Sequence, residues 1–419
     1  MLDAMSLPPA AVAALPTPPR TALSAPFAAL ALALLLGLQA LTTDLYLPAL
    51  PMLAHDLSAP MPAVQMTMAA LIFCFGITQL VWGPIADRAG RRPVLLAGLV
   101  LYALAALGAS WAGSIGQVIF WRGMQGAGMS AAVVCARAMV RDLYEPHEGA
   151  HVMSQALTGL GFIAIASPIA GGLLSSAAGW RATMVALTVF GAGLLVFVML
   201  RVPETIRARN RAATRIAPFV AQLGRTLAHR SFQAWATMVC CSYGGLIVFL
   251  AGAPFVLMDG LGLNAWQCGL AMGTNSIAYV AGTFICRRLL PRFGLSGAVL
   301  RASGFTAVAS LMMFAVAASG IWSIWTVLVP QWIYALGHGV HQPCGQAGAV
   351  GPFPHAAGVA SALAGFALAV VGFGVSTWLG WSLVAGAPRP YFLALAAFAA
   401  ASALVAATLV RHHGEPLGR

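Results

Sequence analysis

Residues 83–93 read GPIADRAGRRP, a short polar turn between two long apolar runs of the chain. Gly83 would let a neighbouring helix approach closely, and Gly90 would permit the turn. Asp87 is a carboxylate at a helix end, where it can pair with an arginine or lie at the positive N-terminus of another helix. The turn also carries three arginines that would anchor it on one side of a membrane: Arg88, Arg91 and Arg92. A charged hairpin of any membrane protein has a similar composition, so the turn alone leaves its role open.

The composition around this turn indicates a membrane protein. Of 419 residues, 60% are hydrophobic and 8% are charged, whereas about 25% of the residues in a soluble globular chain are charged. So few charges cannot cover a soluble surface, which excludes an ordinary soluble enzyme, a disordered chain and a secreted disulfide scaffold. The seven cysteines have no framework spacing, and we expect them to be small packing residues. We therefore predict an all-α integral membrane protein.

The apolar runs predict twelve transmembrane helices, at about 20 apolar residues per crossing. The predicted spans are 24–50, 63–86, 93–112, 116–141, 151–176, 182–202, 231–258, 265–287, 297–318, 322–346, 355–380 and 390–410. A polar stretch divides them six and six, as in transporters built from two repeats. The predicted units are a flexible cytoplasmic tail at 1–23, an N-terminal six-helix half at 24–202, a cytoplasmic linker at 203–229, a C-terminal six-helix half at 230–410 and a cytoplasmic tail at 411–419.

The basic residues set the expected orientation. All 22 are arginines, and with the N-terminus inside, 19 of them lie on the cytoplasmic side or at the inner interface. Arg181 and Arg389 fall in outer loops, and Arg122 falls within a span. Because cytoplasmic loops carry the excess of positive charge, both termini are predicted to be cytoplasmic. The net charge of +12 then comes from arginines along the cytoplasmic side of the membrane. No nucleic-acid partner is expected.

Span four holds an arginine in the stretch FWRGMQGAG at 120–128. An arginine within a span costs several kcal/mol unless it is paired or solvated, which marks Arg122 as functional unless it reaches the outer headgroups instead. Arg137 follows 15 residues later, about 60° away around the helix. It either faces the inner half of a cavity or bonds Asp87 at an inner gate, the interpretation we favour. Arg141 closes the same span.

Span one ends in LTTDLYLPALP at 41–51, and Asp44 is the only carboxylate well inside an apolar run. Burial generally raises the pKa of a carboxyl group and a nearby cation lowers it, so such a group can titrate near neutral pH. Asp44 lies about as far from the outer ends of the spans as Arg122 does, so the two can communicate. The alternative is a helix cap at the outer interface.

Spans five and ten carry the remaining candidate residues. Span five contains ASPIAGG at 166–172, in which Pro168 would kink the helix and Gly171 and Gly172 would allow close packing. In span ten, His338 and His341 stand three residues apart. No carboxylate completes a metal site there, so no metal is expected, and the histidines are either a second titratable element or polar packing.

These motifs resemble the major facilitator superfamily in order and content. The turn at 83–93 matches its signature loop, G-x-x-x-D-R-x-G-R-[RK], at every defined position. The R-x-x-Q-G-x-G string at 122–128 resembles span four of its proton-coupled antiporters, and T-D-x-Y-L-P-A-x-P at 43–51 resembles span one of the Bcr/CflA drug-exporter branch. Span five keeps the Pro-x-x-Gly-Gly core of the antiporter motif, but Ser167 and Ile163 replace its two earlier glycines.

The resemblance implies a major facilitator fold and proton-coupled export of drugs across the bacterial inner membrane by alternating access. It implies that Asp44 exchanges protons, that Arg122 tunes or relays its state and that Asp87 helps to latch the two halves. The expected partners are a small drug or metabolite, protons and the lipid bilayer, and the chain is expected to be a monomer without a cofactor. The residues expected to line the substrate cavity are Thr43, Tyr46, Gln125, Ala164, His338 and His341.

Three other functions remain open from the sequence. A transporter of a natural metabolite, such as a sugar, an amino acid or a siderophore, would have the same architecture. A non-transporting scaffold or sensor would not need Asp44 and Arg122 within its spans. A membrane enzyme would need a cluster of catalytic groups, and the sequence has no phosphate-binding loop, no hydrolase nucleophile motif and no paired carboxylates.

Overall fold

The computed structural model describes residues 24–206, 216–353, 356–383 and 388–414, and these residues are helical with no strand among them. Long helices follow one another with short connections. The helices are α1 Ala25–Asp44, α2 Leu50–Asp56, α3 Met61–Ala89, α4 Arg91–Ser110, α5 Ile115–Leu143, α6 Pro146–Ala178, α7 Trp180–Arg201, α8 Ile216–Ala228, α9 Arg230–Pro254, α10 Ala265–Ser319, α11 Ile324–Val350, α12 Ala357–Ser382, α13 Arg389–Val405 and α14 Arg411–His413.

The predicted apolar runs fall on these helices, but the helices do not correspond one to one with the predicted spans. Helix α10 covers two predicted spans, and its backbone breaks at Gly294, where φ is 64° and ψ is −173°. Only glycine adopts such a conformation without strain, so this residue separates the two spans. Within the described ranges, nine helices are long and apolar enough by composition to cross a membrane. Helices α5 and α11 are not among them, because buried polar side chains lower their hydropathy.

The polar stretch at 203–229 is not a simple loop, because α8 occupies its second part. The arginines predicted for its first part, Arg207, Arg209, Arg211 and Arg215, lie outside the described residues, as do the tail at 1–23 and residues 415–419. Helix α8 is amphipathic, and its Leu223 packs against buried residues of the second half of the chain. The apolar face of this helix explains why it packs against the bundle.

The buried side chains form three clusters. One draws only on residues between Ala28 and Val202, and another only on residues between Phe232 and Val410. The third combines both parts of the chain and includes Leu47, Leu50 and Phe249. Each part of the chain therefore has a core of its own, and a shared core joins the two.

Small residues allow the two parts of the chain to approach closely. Helix α3 packs on α12 where Gly76 meets Ala369, and a Cβ atom placed at Gly76 would lie 2.0 Å from the Cβ of Ala369. Helix α6 packs on α10 where Gly172 meets the carbonyl of Ala265, and a Cβ there would lie 2.4 Å from that oxygen. Such contacts between glycine and a facing helix are typical of helices packed in lipid.

Candidate functional site

The centre of the candidate site is a break in the first long helix. Helix α1 ends at Asp44, and the chain then passes through a turn and a short 3-10 helix, Leu47–Ala49, before α2 begins. Pro48 explains the break, because a proline has no N–H to donate to the carbonyl four residues earlier, which belongs to Asp44. The predicted span 24–50 is therefore a broken helix that continues to Asp56.

Asp44 lies at this break and is half-buried. Its Oδ1 accepts a hydrogen bond of 2.8 Å from the hydroxyl of Thr43. Tyr243, on α9 in the second part of the chain, is close enough to Asp44 for the two side chains to interact electrostatically. Among the described residues no cation forms an ion pair with Asp44. The Asp44 carboxylate is thus partly exposed and has no ion-pair partner among the described residues.

Arg122 lies beside the same break and is fully buried. Its Nη1 donates 2.7 Å to Oε1 of Gln125, and its Nη2 donates 3.2 Å to the backbone carbonyl of Thr42. The guanidinium also lies over the ring of Tyr46, with Cζ 4.4 Å from the ring centroid. A buried arginine with these contacts does not reach the outer headgroups, so the alternative of a snorkelling side chain is excluded in this structure.

The contacts of Arg122 give it a physical role at the helix end. The last carbonyls of a helix have no partner within the helix and carry partial negative charge, which a cation stabilises. Arg122 meets this need through the carbonyl of Thr42, whose hydroxyl also pairs with that of Tyr102 at 2.7 Å. The structure therefore connects Arg122 to the backbone two residues before Asp44, and no ion pair joins the two side chains.

Helix α6 closes the other side of the break. Gly171 packs against the carbonyl of Leu45, where a Cβ atom would lie 2.0 Å from the oxygen. The carbonyl of Pro168 meets Gly269 of α10, so the same motif also joins the two parts of the chain. Ile163 replaces a glycine of the antiporter motif, and Gly37 of α1 makes room for its side chain. A Cβ atom at Gly37 would lie 2.3 Å from Cδ1 of Ile163.

The 83–93 turn forms a second cluster at the opposite end of α3. Gly90 has φ of 114°, which confirms that the turn requires a glycine. The side chain of Arg91 bridges two carboxylates: Nη1 bonds Oδ1 of Asp87, and Nε donates 3.0 Å to Oδ2 of Asp142 on α5. Gly83 differs from expectation: a Cβ there would meet no atom of the described residues within 4 Å, so no described helix approaches closely at this position.

Glu204 is a member of this cluster that the sequence reasoning missed. Its carboxylate accepts hydrogen bonds from the backbone N–H groups of Arg91, at 2.9 Å, and Arg92, at 3.2 Å. These are the first N–H groups of α4, which have no partner within the helix. The signal in the sequence is only a lone glutamate after an apolar span, and 113 positions separate it from Arg91.

Arg137 has a different partner from the one we favoured. Its Nη1 donates 3.4 Å to the hydroxyl of Ser361 on α12, which links the two parts of the chain. Asp87 instead pairs with Arg91, four residues further along the same turn. Arg88 and Arg141 are exposed near the ends of α3 and α5.

The histidines of α11 are buried among polar side chains of α9 and α10. Nδ1 of His338 lies 2.7 Å from the hydroxyl of Ser242. His341 is fully buried, and its ring nitrogens have no hydrogen-bond partner among the described residues. No group of three metal-ligating side chains occurs in the described part of the chain. His338 and His341 therefore lie in the core of the second half, away from an open surface.

The residues expected to line the substrate cavity divide into two groups. Thr43 and Ala164 are half-buried, which is compatible with a cavity wall. Tyr46 and Gln125 are fully buried against Arg122, and the hydroxyl of Tyr46 pairs with that of Thr67 at 3.1 Å. In this structure Tyr46 and Gln125 therefore support Arg122 and do not form a free surface.

The fold and these two clusters define a class of protein, the multi-pass membrane transporters. Buried polar and charged groups at a helix break within an apolar bundle are typical of that class. The chain belongs to the Major Facilitator Superfamily, which matches residues 32–376.

Named relatives and solved structures agree with this family. The chain is 32% identical over 346 residues to multidrug resistance protein D of Escherichia coli (strain K12), across 83% of this chain and 86% of that protein. It is 29% identical over 335 residues to a chloramphenicol resistance protein of Pseudomonas aeruginosa, across 78% and 77%. The xylose transporter XylE from E. coli, in a partially occluded inward-open conformation, has the same fold, with a TM-score of 0.73 and 15% identity across 93% of this chain and 98% of that chain.

Proposed function

We propose that this protein exports small amphipathic drugs, such as antibiotics, across the bacterial inner membrane in exchange for protons. The named drug-resistance relatives support the cargo class. The observation that carries the proposal is the convergence of α1, α5 and α6 on a half-buried carboxylate at Asp44. A non-transporting scaffold or sensor would not need this arrangement, and a membrane enzyme would need a cluster of catalytic groups instead. We therefore favour neither alternative.

The proposed architecture has twelve spans in two six-helix halves, 24–202 and 230–410. Helix α5 has 29 residues and α11 has 27, so at 1.5 Å per residue each is about 40 Å long and exceeds the bilayer core of about 30 Å. Adding these two helices, and counting α10 as two spans across Gly294, extends the nine apolar helices to twelve. The arginine distribution supports a cytoplasmic position for both termini.

The proposed mechanism couples protons to drugs through a single site. When the cavity opens outward, Asp44 takes up a proton, and when it opens inward Asp44 releases the proton. The change in charge alters the affinity for the drug. Arg122 holds the end of α1 in the geometry that places Asp44 opposite α9. No cofactor enters this cycle, and a monomer is sufficient for it, because both halves are in one chain.

The cytoplasmic turn is the proposed latch of the outward-open state. Asp87, Arg91, Asp142 and Glu204 fix the turn to α4, α5 and the segment after α7. The bond from Arg137 to Ser361 then joins α5 to α12 across the two halves. Opening to the cytoplasm would have to break that bond, which is why these residues bear on gating and not on drug affinity.

The first experiment is growth of a strain that lacks its own drug exporters on a panel of antibiotics. We expect the wild-type protein to raise the inhibitory concentration of several unrelated amphipathic compounds, and Asp44→Asn, present at equal amounts in the membrane, to raise none. Equal sensitivity of the wild-type strain and the empty strain to every compound, together with gradient-dependent uptake of a sugar or an amino acid, would favour a metabolite transporter instead.

A further inference from the structure

The two outer arginines differ in their surroundings. Arg181 is held by the protein: its Nη2 donates 3.0 Å to the carbonyl of Ala112, and its guanidinium lies 4.3 Å from the centroid of the Trp180 ring. Arg389 is exposed at the start of α13, and among the described residues no hydrogen bond or ion pair engages its guanidinium. A cation on the side with few positive charges therefore remains free to bind an external anion.

Arg389 lies at one end of an apolar groove. A cavity of about 470 Å³ between α12 and α13 is lined by Trp378, Arg389, Pro390, Leu393, Ala394, Ala397 and Phe398. Arg389 is the only charged residue among them, and none of them is acidic. The surface of this shallow groove is entirely apolar, so Arg389 lines it with the hydrocarbon part of its side chain. A molecule with an anionic head beside the exposed guanidinium and a hydrocarbon tail in the groove fits this arrangement.

A second groove lies on the other side of the same helix ridge. This cavity, of about 280 Å³, lies between α10 and α13 and is lined by Ser310, Leu311, Phe314, Leu393, Ala396, Ala397 and Ala400. Leu393 and Ala397 belong to both linings, so they form a ridge with one groove on each side. Two largely apolar grooves that share Leu393 and Ala397, one of them lined by Arg389, match the two acyl chains of a phospholipid.

The depth of the grooves matches one leaflet. From Arg389 to Ala400 is 11 residues of helix, or about 16 Å at 1.5 Å per residue, and half of the hydrocarbon core is about 15 Å. Trp378 and Trp381, at the same end of α12, are 45% and 74% exposed. Exposed tryptophans concentrate at the level of the lipid headgroups, which places Arg389 at that level too.

We propose that these grooves bind one anionic diacyl phospholipid of the outer leaflet. Its phosphate pairs with Arg389, and its two acyl chains lie on either side of the ridge formed by Leu393 and Ala397. The absence of an acidic residue from both linings disfavours a zwitterionic ethanolamine headgroup, whose ammonium would remain unpaired beside a cation. This binding site is independent of proton coupling at Asp44.

Native mass spectrometry of the purified full-length chain with added dioleoylphosphatidylglycerol tests the proposal. We expect one retained lipid, bound about tenfold more weakly by Arg389→Gln, because a charge-assisted hydrogen bond to phosphate is lost. Ala397→Trp, which fills both grooves on the exposed face of α13, should weaken binding to a similar extent with Arg389 intact. The matched control is Arg181→Gln, which removes the same charge from the same side and should retain the lipid.

Three outcomes would overturn the proposal. One is equal retention of the lipid by wild type and Ala397→Trp, which decides the matter even if Arg389→Gln does not fold. Another is equal affinity for dioleoylphosphatidylcholine, which would show that the headgroup charge is irrelevant. The third is displacement of the lipid by glycerol 3-phosphate at similar concentrations, which would show an anion site without any contribution from the grooves.

Discussion

At the scale of single residues, Asp44 and Arg122, which the sequence predicts to lie within spans, have different surroundings. Asp44 is half-buried and forms no ion pair among the described residues, whereas Arg122 is fully buried and donates from Nη1 and Nη2 to neutral partners. The buried Nε of Arg122 has no hydrogen-bond partner among the described residues. Because Arg122 binds the carbonyl of Thr42, we propose that it acts on Asp44 through the end of α1. The arginine positions the carboxylate, and the carboxylate is the group that we propose to exchange protons.

Replacement of Arg122 by lysine is expected to reduce drug transport at least tenfold, although the charge is kept. The guanidinium contacts Gln125, Thr42 and the ring of Tyr46 at once, and a single ammonium group on a flexible chain cannot reproduce that planar set of bonds. The measurement is the transport rate against pH for wild type and Arg122→Lys. The control is Arg301→Lys, on the exposed face of α10, which should leave the profile unchanged. Superimposed profiles for all three proteins would remove Arg122 from the coupling site.

Glu204→Gln is expected to weaken the cytoplasmic turn by about 0.5–1 kcal/mol, as expected for loss of a charged helix cap at an exposed site. The carboxylate now accepts bonds from the first N–H groups of α4. Hydrogen exchange at the N-terminus of α4 should therefore become faster in the variant. Glu145→Gln is a suitable comparison, because Glu145 precedes α6 without making a cap bond. Equal exchange in the two variants would contradict the assignment of Glu204.

At the scale of helices, glycine and proline positions explain how the site is assembled. Pro48 ends α1 at Asp44, and Gly171 lets α6 pack on the exposed backbone of that break. The sequence contains both signals as separate motifs. Only the structure shows that Pro48 and Gly171 lie at the same break. Their proximity depends on how three helices pack together and not on residue spacing within any one helix.

Gly171→Ala is expected to cost more than 2 kcal/mol of stability or to shift α6 away from α1, because the new methyl group would lie 2.0 Å from the carbonyl oxygen of Leu45. Gly193→Ala, in the middle of α7, is the matched control. It makes the same chemical change where no atom lies within 4 Å, so it should be neutral or slightly stabilising. Thermal unfolding in detergent compares the two. Similar midpoints would show that α6 does not pack at the break as described.

The sequence predicted the helices more completely than it predicted the contacts. Apolar runs and the fold class follow from composition, and Gly90 was identified as the turn residue. Three features of the structure were not predicted correctly from the sequence, for physical reasons. Glu204 acts across 113 positions, Arg137 pairs with Ser361 on a distant helix, and Gly83 proved to have no close neighbour. Each of these depends on tertiary packing, which local sequence patterns do not encode.

At the scale of the whole molecule, two regions at opposite depths would act together in an alternating-access cycle. The break at Asp44 lies in the shared core of the bundle, and the 83–93 turn lies at the far end of α3. The bond between Arg137 and Ser361 joins the two parts of the chain near that turn. In that cycle, α3 and α5, the long helices that reach both regions, would couple proton uptake at Asp44 to opening of the 83–93 turn.

Asp87→Ala is expected to slow transport several-fold by loosening the cytoplasmic side, with drug affinity changed less than twofold. Loss of the carboxylate frees Arg91 on one side and disturbs the turn that fixes α3 to α5. Hydrogen-exchange mass spectrometry should show faster exchange at the cytoplasmic ends of α3, α5 and α12. Asp56→Ala, which removes an exposed carboxylate at the end of α2, serves as the control. A large loss of drug affinity with unchanged exchange would place Asp87 in the binding site instead.

The most direct test of the central claim is transport by Asp44→Asn in inverted membrane vesicles with an imposed proton gradient. We predict that wild type accumulates the drug against its concentration gradient and that Asp44→Asn does not, while both proteins exchange labelled for unlabelled drug at equilibrium. That combination would show a carrier that still alternates but no longer couples to protons, because asparagine keeps the size of the side chain and cannot exchange a proton. Full gradient-driven accumulation by Asp44→Asn would contradict the account and place coupling at another residue.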